Sequence, residues 1–134
     1  MYDHILIPVA PGHYDEYEKA LSVAQKLLSS DGKVSALAVL EDVPSYVNAY
    51  ISADQFEKNR AEVSVELKMQ FKGAGIETFV VVGHPANSIL DWSEKQDVDC
   101  MIVSSHRPGF SDYFIGSTAA RIVRHAKFSV HVLR

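Results

Sequence analysis

The chain has 134 residues, of which 47% are hydrophobic and 22% charged, so it can bury the core of one ordinary globular domain but not of two. A net charge of -4 and an isoelectric point near 5.8 argue against a nucleic-acid-binding protein, which would carry a basic surplus. The first residues lack the basic segment of a signal peptide, and the apolar run Ile5–Ala10 is too short to cross a membrane. We therefore expect one cytoplasmic domain over residues 1–134, with neither nucleic acid nor membrane as a partner.

Five short apolar segments have the continuous hydrophobic character of strands that are buried on both faces. Pro8 has to lie at the end of the first segment, because proline cannot donate to the ladder of a central strand. The predicted strands are, in chain order, Ile5–Val9, Val34–Leu40, Glu77–Val82, Cys100–Val103 and Val130–Leu133.

Between these strands, apolar residues recur at the spacing of amphipathic helices. The predicted helices run from Tyr17 to Leu28 with a stop at Ser29–Gly32, from Phe56 to Phe71, from Pro85 past Ser93, and from Gly116 to Ala126 with Ala119, Ile122 and Val123 on the apolar side. The aromatic and polar stretch Pro44–Ser52 has no period and predicts a loop. Strict alternation of strands and helices predicts an α/β fold with a doubly wound parallel sheet.

Ligands of such sheets bind beyond the carboxyl ends of the strands, and the segment Ser104–Thr118 is the most informative candidate there. Free N–H groups at the start of the last helix predict an anion site. Gly116 would let a phosphate approach, Ser117 and Thr118 would add hydroxyl donors, and Arg107 could hold oxygens from the other side. The same Gly-Ser pair is also an ordinary helix cap, and for this tripeptide alone the cap is the commoner explanation.

Other residues carry weaker signals. His106 follows the fourth strand and either contacts a ligand or only bonds the backbone. The histidines are too scattered for a metal site, so no metal ligands are predicted. Cys100 is the only cysteine and lies in an apolar strand, which favours a buried, inert thiol. There is no Walker A loop, no dinucleotide-binding glycine motif and no nucleophile elbow.

Over its whole length the sequence resembles the universal stress proteins. The matching segments are Ile5–Val9, Gly83–Ala86, Asp99–His106, Gly116-Ser117 and Val123–Ala126 with the terminal strand. Within the family they are most similar to the enterobacterial F and G types, which belong to the nucleotide-binding branch. The resemblance implies a three-layer α/β/α domain with four helices and a five-stranded parallel sheet of order 3-2-1-4-5. It also implies homodimers formed through the C-terminal strand.

The resemblance further implies a site for ATP or AMP, with or without Mg²⁺. It would place the adenine near Pro8, Val9 and Val39, the ribose near Ala10 and Ser104, and the phosphates near Arg107, Gly116, Ser117 and Thr118. Nucleotide-binding members carry two earlier loop glycines, where this chain has Ser104 and Arg107, and Gly109 would restore some backbone freedom. They also carry an acidic residue where this chain has Ala10, a loss for which Glu41 or Asp42 could compensate.

Three functions therefore stay open on the sequence. The first is a stress-response protein that senses ATP or AMP with slow hydrolysis at most, because no positioned general base is visible. The second is a nucleotide-free dimeric interaction module, which Ala10 and the missing glycines favour. The third is a slow ATPase or phosphotransferase that acts on a partner.

Overall fold

The computed structural model describes residues 1–11, 17–41, 50, 52–105 and 116–134. The chain alternates strands and helices throughout these ranges. The strands are β1 (Tyr2–Val9), β2 (Leu28–Leu40), β3 (Glu77–Val82), β4 (Cys100–Ser104) and β5 (Ser129–Leu133). The helices are α1 (Tyr17–Leu27), α2 (Ala53–Gln70), α3 (Pro85–Lys95) and α4 (Ser117–His125).

The five strands form one parallel sheet of order β3-β2-β1-β4-β5, which confirms the predicted fold. Pro8 lies next to the carboxyl end of β1, as predicted. The strand order reverses at β1, which pairs with β2 on one side and with β4 on the other. This reversal places the switch point of the sheet beyond the carboxyl end of β1.

Two helices cover each face of the sheet. Alternate residues of a strand point to opposite faces, so each strand contributes side chains to both layers. Ile5 and Ile7 of β1 pack on the face covered by α1 and α2. Leu6, between them, packs on the other face, where Ile89 of α3 and Ile122 of α4 complete the core. All these β1 side chains are fully buried, so the three layers are held by apolar packing along the central strand.

The predicted stop of the first helix at Ser29–Gly32 is instead part of β2. Tyr2 pairs with Leu28 and His4 pairs with Lys33. The four residues Ser29–Gly32 therefore stand opposite Asp3 alone and form an irregular bulge. The Ser29 hydroxyl donates to the Asp3 carboxylate over 2.7 Å. The bulge takes the place of the expected turn, and α1 ends at Leu27.

The last helix differs from the prediction at Val123, which is 45% exposed, whereas Ala119 and Ile122 are buried. Successive residues of a helix are about 100° apart, so the position after Ile122 turns away from the sheet. The predicted loop Pro44–Ser52 lies outside the described residues, apart from Tyr50 and Ser52. Ser52 is the N-cap of α2, where its hydroxyl accepts from the Gln55 N–H over 3.1 Å.

Candidate functional site

The carboxyl ends of the parallel strands meet at one edge of the sheet, and the residues that follow them define the candidate site. Ala10 follows β1, Glu41 follows β2, Gly83 follows β3 and Ser105 follows β4. Backbone hydrogen bonds continue past two of these ends: the Gly83 N–H donates to the Leu40 carbonyl, and the Ser105 N–H to the Leu133 carbonyl, each over 2.9 Å. The chain is therefore held in place where it leaves β3 and β4.

The turn from β3 into α3 depends on Gly83. Its φ is +154°, and a Cβ at this position would lie 2.5 Å from the Ser88 hydroxyl oxygen, so a side chain does not fit. His84 is the N-cap of α3, and its Nδ1 accepts from the Asn87 N–H over 3.4 Å. Pro85 occupies the first helical position, as the sequence predicts. The turn brings the N-terminus of α3 to the carboxyl edge of the sheet.

The N-terminus of α4 lies at the same edge, and its N-cap is Gly116 rather than Ser117. In the Gly-Ser pair it is therefore the glycine that caps the helix, and Ser117 is the first helical residue. A glycine has no side chain with which to occupy the N–H groups of the first turn. Apart from Gly116 itself and its chain neighbours, no atom of the described residues lies within 4 Å of where a Cβ at Gly116 would stand.

A cleft of about 690 Å³ separates α3 from α4 at this edge, and we call it the α3–α4 cleft. Its described lining residues come from three segments: Glu41 after β2, Gly83 to Ala86 at the start of α3, and Ser117, Thr118, Ala120, Arg121, Arg124 and His125 of α4. The N-terminal ends of two helices thus share one cleft. Both ends carry partial positive charge, which favours an anionic ligand.

Two arginines strengthen this positive character. Arg121 and Arg124 are both exposed and line the cleft. The Arg121 Nε donates to the Asn87 Oδ1 over 3.1 Å, which ties α4 to the first turn of α3. Glu41 is the one acidic residue among the described lining residues. The sequence reasoning missed both arginines, although their spacing of four and seven residues from Ser117 places them on one helix face.

The predicted site residues divide into three groups. Ser117 and Thr118 line the cleft, and Gly116 adjoins them as the N-cap. Pro8, Val9, Ala10, Val39 and Ser104 are not among its described lining residues. His106, Arg107 and Gly109 lie outside the described residues.

The five residues away from the cleft have other surroundings. Val9 and Val39 are buried in the cores on opposite faces of the sheet, so their side chains belong to the packing. The Ala10 N–H donates to the Tyr17 hydroxyl over 2.8 Å. Pro8 and Ser104 are half-buried at the ends of their strands.

Cys100 has the surroundings that were predicted for it. It is 1% exposed, and burial, together with the neighbouring Asp99 carboxylate, raises the pKa of its thiol to about 11. Within the described ranges, no three side chains of His, Cys, Asp or Glu lie close enough together to hold a metal ion. No helix in the same ranges is long and apolar enough to span a membrane.

The strand order and the cleft define a doubly wound α/β protein with a cleft at the carboxyl edge of its sheet, lined by two helix N-termini and two arginines. The sequence profile of the universal stress protein family matches residues 1–134, and the chain belongs to this family. A curated relative, universal stress protein G of Salmonella typhimurium, is 28% identical over the full length of both chains. A universal stress protein from Lactobacillus plantarum superposes with a TM-score of 0.72 at 19% identity, over 99% of this chain and 98% of that one.

Two other similar structures contain a nucleotide. One is a universal stress protein in complex with cAMP, with a TM-score of 0.68 at 18% identity, covering 99% of this chain and 97% of that one. The other is a family member from Arabidopsis thaliana with AMP bound, with a TM-score of 0.64 at 18% identity, covering 98% of this chain and 90% of that one. At these identities the likeness shows the shared fold.

Proposed function

We propose that this chain binds an adenine nucleotide, ATP or AMP, at the carboxyl edge of its sheet, and that it senses or signals through this binding. The main support for this proposal is the N-terminus of α4, whose N-cap is Gly116. Gly116 has no side chain with which to cap the first-turn N–H groups, and within the described ranges no side chain caps them in its place. Ser117 and Thr118 line the adjoining cleft. Such a helix end binds phosphate through its N–H groups and its dipole.

The size and charge of the α3–α4 cleft support the same proposal. A volume of about 690 Å³ lies in the range of pockets that hold small molecules. Arg121 and Arg124 supply two positive charges at its wall. Family members with cAMP or AMP bound share the fold, and we therefore propose an adenine nucleotide as the ligand of this chain.

Glu41 is the residue that we assign to the ribose. Ala10 stands where the family resemblance implies an acidic residue. Its methyl side chain cannot accept a hydrogen bond from a ribose hydroxyl. The Glu41 carboxylate lies beyond the neighbouring strand β2 and lines the cleft, where it can accept from ribose hydroxyls. It is the one carboxylate among the described lining residues, so we expect hydrolysis to be slow at most.

Two substitutions of Gly116 test the phosphate site by titration calorimetry with ATP and AMP. Gly116→Asp introduces a good N-cap and a negative charge, so it should stabilise α4 by about 0.5 kcal/mol and weaken both nucleotides more than tenfold. Gly116→Asn introduces a similar cap without the charge and should weaken binding less. The proposal is wrong if both variants bind as the wild type does, or if the wild type binds neither nucleotide at millimolar concentration.

The alternative, a nucleotide-free interaction module, is favoured by one contact. The Ala10 N–H is already engaged by the Tyr17 hydroxyl, so it is not free for a ribose. On either hypothesis we propose a cytoplasmic homodimer that pairs through β5, because β5 is an edge strand of the sheet. Mass spectrometry of small molecules released from the purified protein separates the two hypotheses, since the module would release no adenine nucleotide.

A further inference from the structure

The side of α4 that lines the cleft carries two arginines beyond the helix end, where a single phosphate would bind. Ser117, Arg121 and Arg124 are spaced by four and three residues, so they follow one another along a single side of the helix. At a rise of 1.5 Å per residue, the Cα atoms of Arg121 and Arg124 lie about 6 Å and about 10 Å along the axis from Ser117. The positive charges therefore extend along the cleft, away from the helix end.

Asn87 orients the first of these arginines. The Arg121 Nε donates to the Asn87 Oδ1, and no other described residue accepts from this guanidinium. Its terminal nitrogens remain available as donors at the cleft wall. Arg124 lines the same wall, and no hydrogen bond or ion pair joins it to any part of the chain that the structure describes. Two exposed guanidinium groups on one wall are suited to a ligand with several anionic oxygens.

We propose that Arg121 and Arg124 form a second anionic subsite that accepts the phosphates of a di- or triphosphate beyond the first, so that the cleft selects polyphosphates over monophosphates. This inference rests on the proposed function, because the first phosphate is taken to occupy the N-terminus of α4. The subsite differs from that helix end in using side-chain guanidinium groups from the second and third turns. It makes ATP or ADP, rather than AMP, the preferred ligand.

The wall opposite the arginines fits this polarity. The N-terminus of α3 faces the cleft through Gly83, His84 and Pro85, and its partial positive charge adds to that of the arginines. Glu41 carries the opposing charge and follows β2 rather than belonging to either helix. A ligand with a neutral, hydroxyl-bearing part and a long anionic part would thus find a matching environment for each.

The test compares AMP, ADP, ATP and inorganic tripolyphosphate on four proteins, by calorimetry in EDTA at constant ionic strength. The proteins are the wild type, Arg121→Gln, Arg124→Gln and the matched control Arg60→Gln, whose exposed arginine belongs to α2 on the opposite face of the sheet. We expect each cleft variant to weaken ATP about tenfold, as loss of a charge-assisted hydrogen bond would, and AMP less than about twofold. Arg60→Gln should bind all four ligands as the wild type does.

The outcomes separate this proposal from the one on which it rests. Equal loss of AMP and ATP affinity would overturn the subsite, because the arginines would then act on the first phosphate. Unchanged ATP affinity in both cleft variants would overturn it as well. If the wild type binds no adenine nucleotide, the proposed function fails, but tripolyphosphate binding that Arg121→Gln and Arg124→Gln weaken would still support the subsite. Absence of tripolyphosphate binding in that case would overturn both.

Discussion

The two ends of the parallel sheet both carry polar residues, but among the described residues those at the amino end are held in hydrogen bonds to one another, whereas the two arginines at the carboxyl end are exposed. There the His4 ring is 4% exposed, its Nδ1 lies 2.9 Å from the Gln96 carbonyl oxygen and its Nε2 lies 2.8 Å from the Ser35 hydroxyl. A carbonyl only accepts, so Nδ1 carries the proton and, in a neutral ring, Nε2 accepts from Ser35. The Asp99 carboxylate accepts from the N–H groups of Asp3 and His4 over 2.9 and 3.0 Å.

The carboxyl end has the opposite character. Arg121 and Arg124 are exposed, the N-cap of α4 is a glycine without a side chain, and the cleft between the helices is open. The His4 ring and the Asp99 carboxylate are committed to the fold, whereas the terminal nitrogens of Arg121 and the guanidinium of Arg124 have no partner among the described residues. The number of polar residues at a sheet end therefore does not locate a site. Their unfilled hydrogen-bonding capacity does.

The largest effect that we expect from this contrast is the cost of removing His4. His4→Ala should lower the free energy of unfolding by about 3 kcal/mol, because it leaves a cavity and deprives Ser35 and the Gln96 carbonyl of their partner. Nucleotide affinity should stay within about twofold of the wild type, since the ring lies at the other end of the sheet. Urea unfolding and calorimetry measure the two quantities.

His131→Ala is the exposed-histidine control for His4→Ala, and it is measured at a protein concentration at which the chain is monomeric, because β5 is the strand that we propose for dimer pairing. It should change the stability by less than about 0.5 kcal/mol. The prediction for His4 would be contradicted if His4→Ala weakened ATP binding by as much free energy as it removed from the stability of the fold. It would also be contradicted if both histidine variants were equally stable.

The fold could be predicted from the sequence because its signals are local and repeated. Each buried strand is a short apolar run, and each helix repeats its apolar residues with helical spacing. The exceptions have physical causes that lie elsewhere in the chain. Residues Ser29–Gly32 look like a turn, but the Asp3 carboxylate draws Ser29 into a bulge of β2. Val123 is apolar, yet the orientation of α4 exposes it.

The candidate site was only partly predictable. The Gly-Ser-Thr start of α4 is visible in the sequence because a helix N-terminus has a recognisable composition. The cleft is not visible, because α3 and α4 meet only after the chain has folded, and the contact between Arg121 and Asn87 joins residues 34 positions apart. Val39 stays a prediction: its side chain is buried in the core, so any contact with a ligand there would use backbone groups.

A smaller effect than the loss of His4 should come from Cys100, the first residue of β4, which lies beside Asp99 at the amino end of the sheet. Burial and the Asp99 carboxylate raise the pKa of this thiol from 9.0 to about 11 in the folded chain. The folded state therefore holds the proton more tightly than the unfolded state does. This contribution to stability is fully present below pH 9 and is lost as the pH rises to 11.

The measurement is the free energy of unfolding of the wild type and of Cys100→Ala between pH 8 and pH 11. The difference between the two proteins should shrink by at most about 2–3 kcal/mol over this interval, because only the wild type has the thiol. All other groups are common to both proteins, so their contributions cancel in the difference. A difference that is constant across the interval would show that the amino end does not hold Cys100 in its protonated form.

The smallest effect tests whether the contact between Arg121 and Asn87 serves the cleft, because it pairs two exposed asparagines of which only Asn87 bonds a cleft arginine. Asn87 accepts from Arg121 in the cleft over 3.1 Å, and Asn59 accepts from the Gln55 side chain on α2 over 3.2 Å. Asn87→Ala and Asn59→Ala should each change stability by less than about 0.5 kcal/mol. Only Asn87→Ala should reduce the preference for ATP over AMP, because Arg121 loses the partner that orients it. The reduction should be about threefold, which is less than the loss of a whole charge-assisted hydrogen bond. Equal ATP-to-AMP affinity ratios in the two variants would mean that the bond between α3 and α4 only joins the helices.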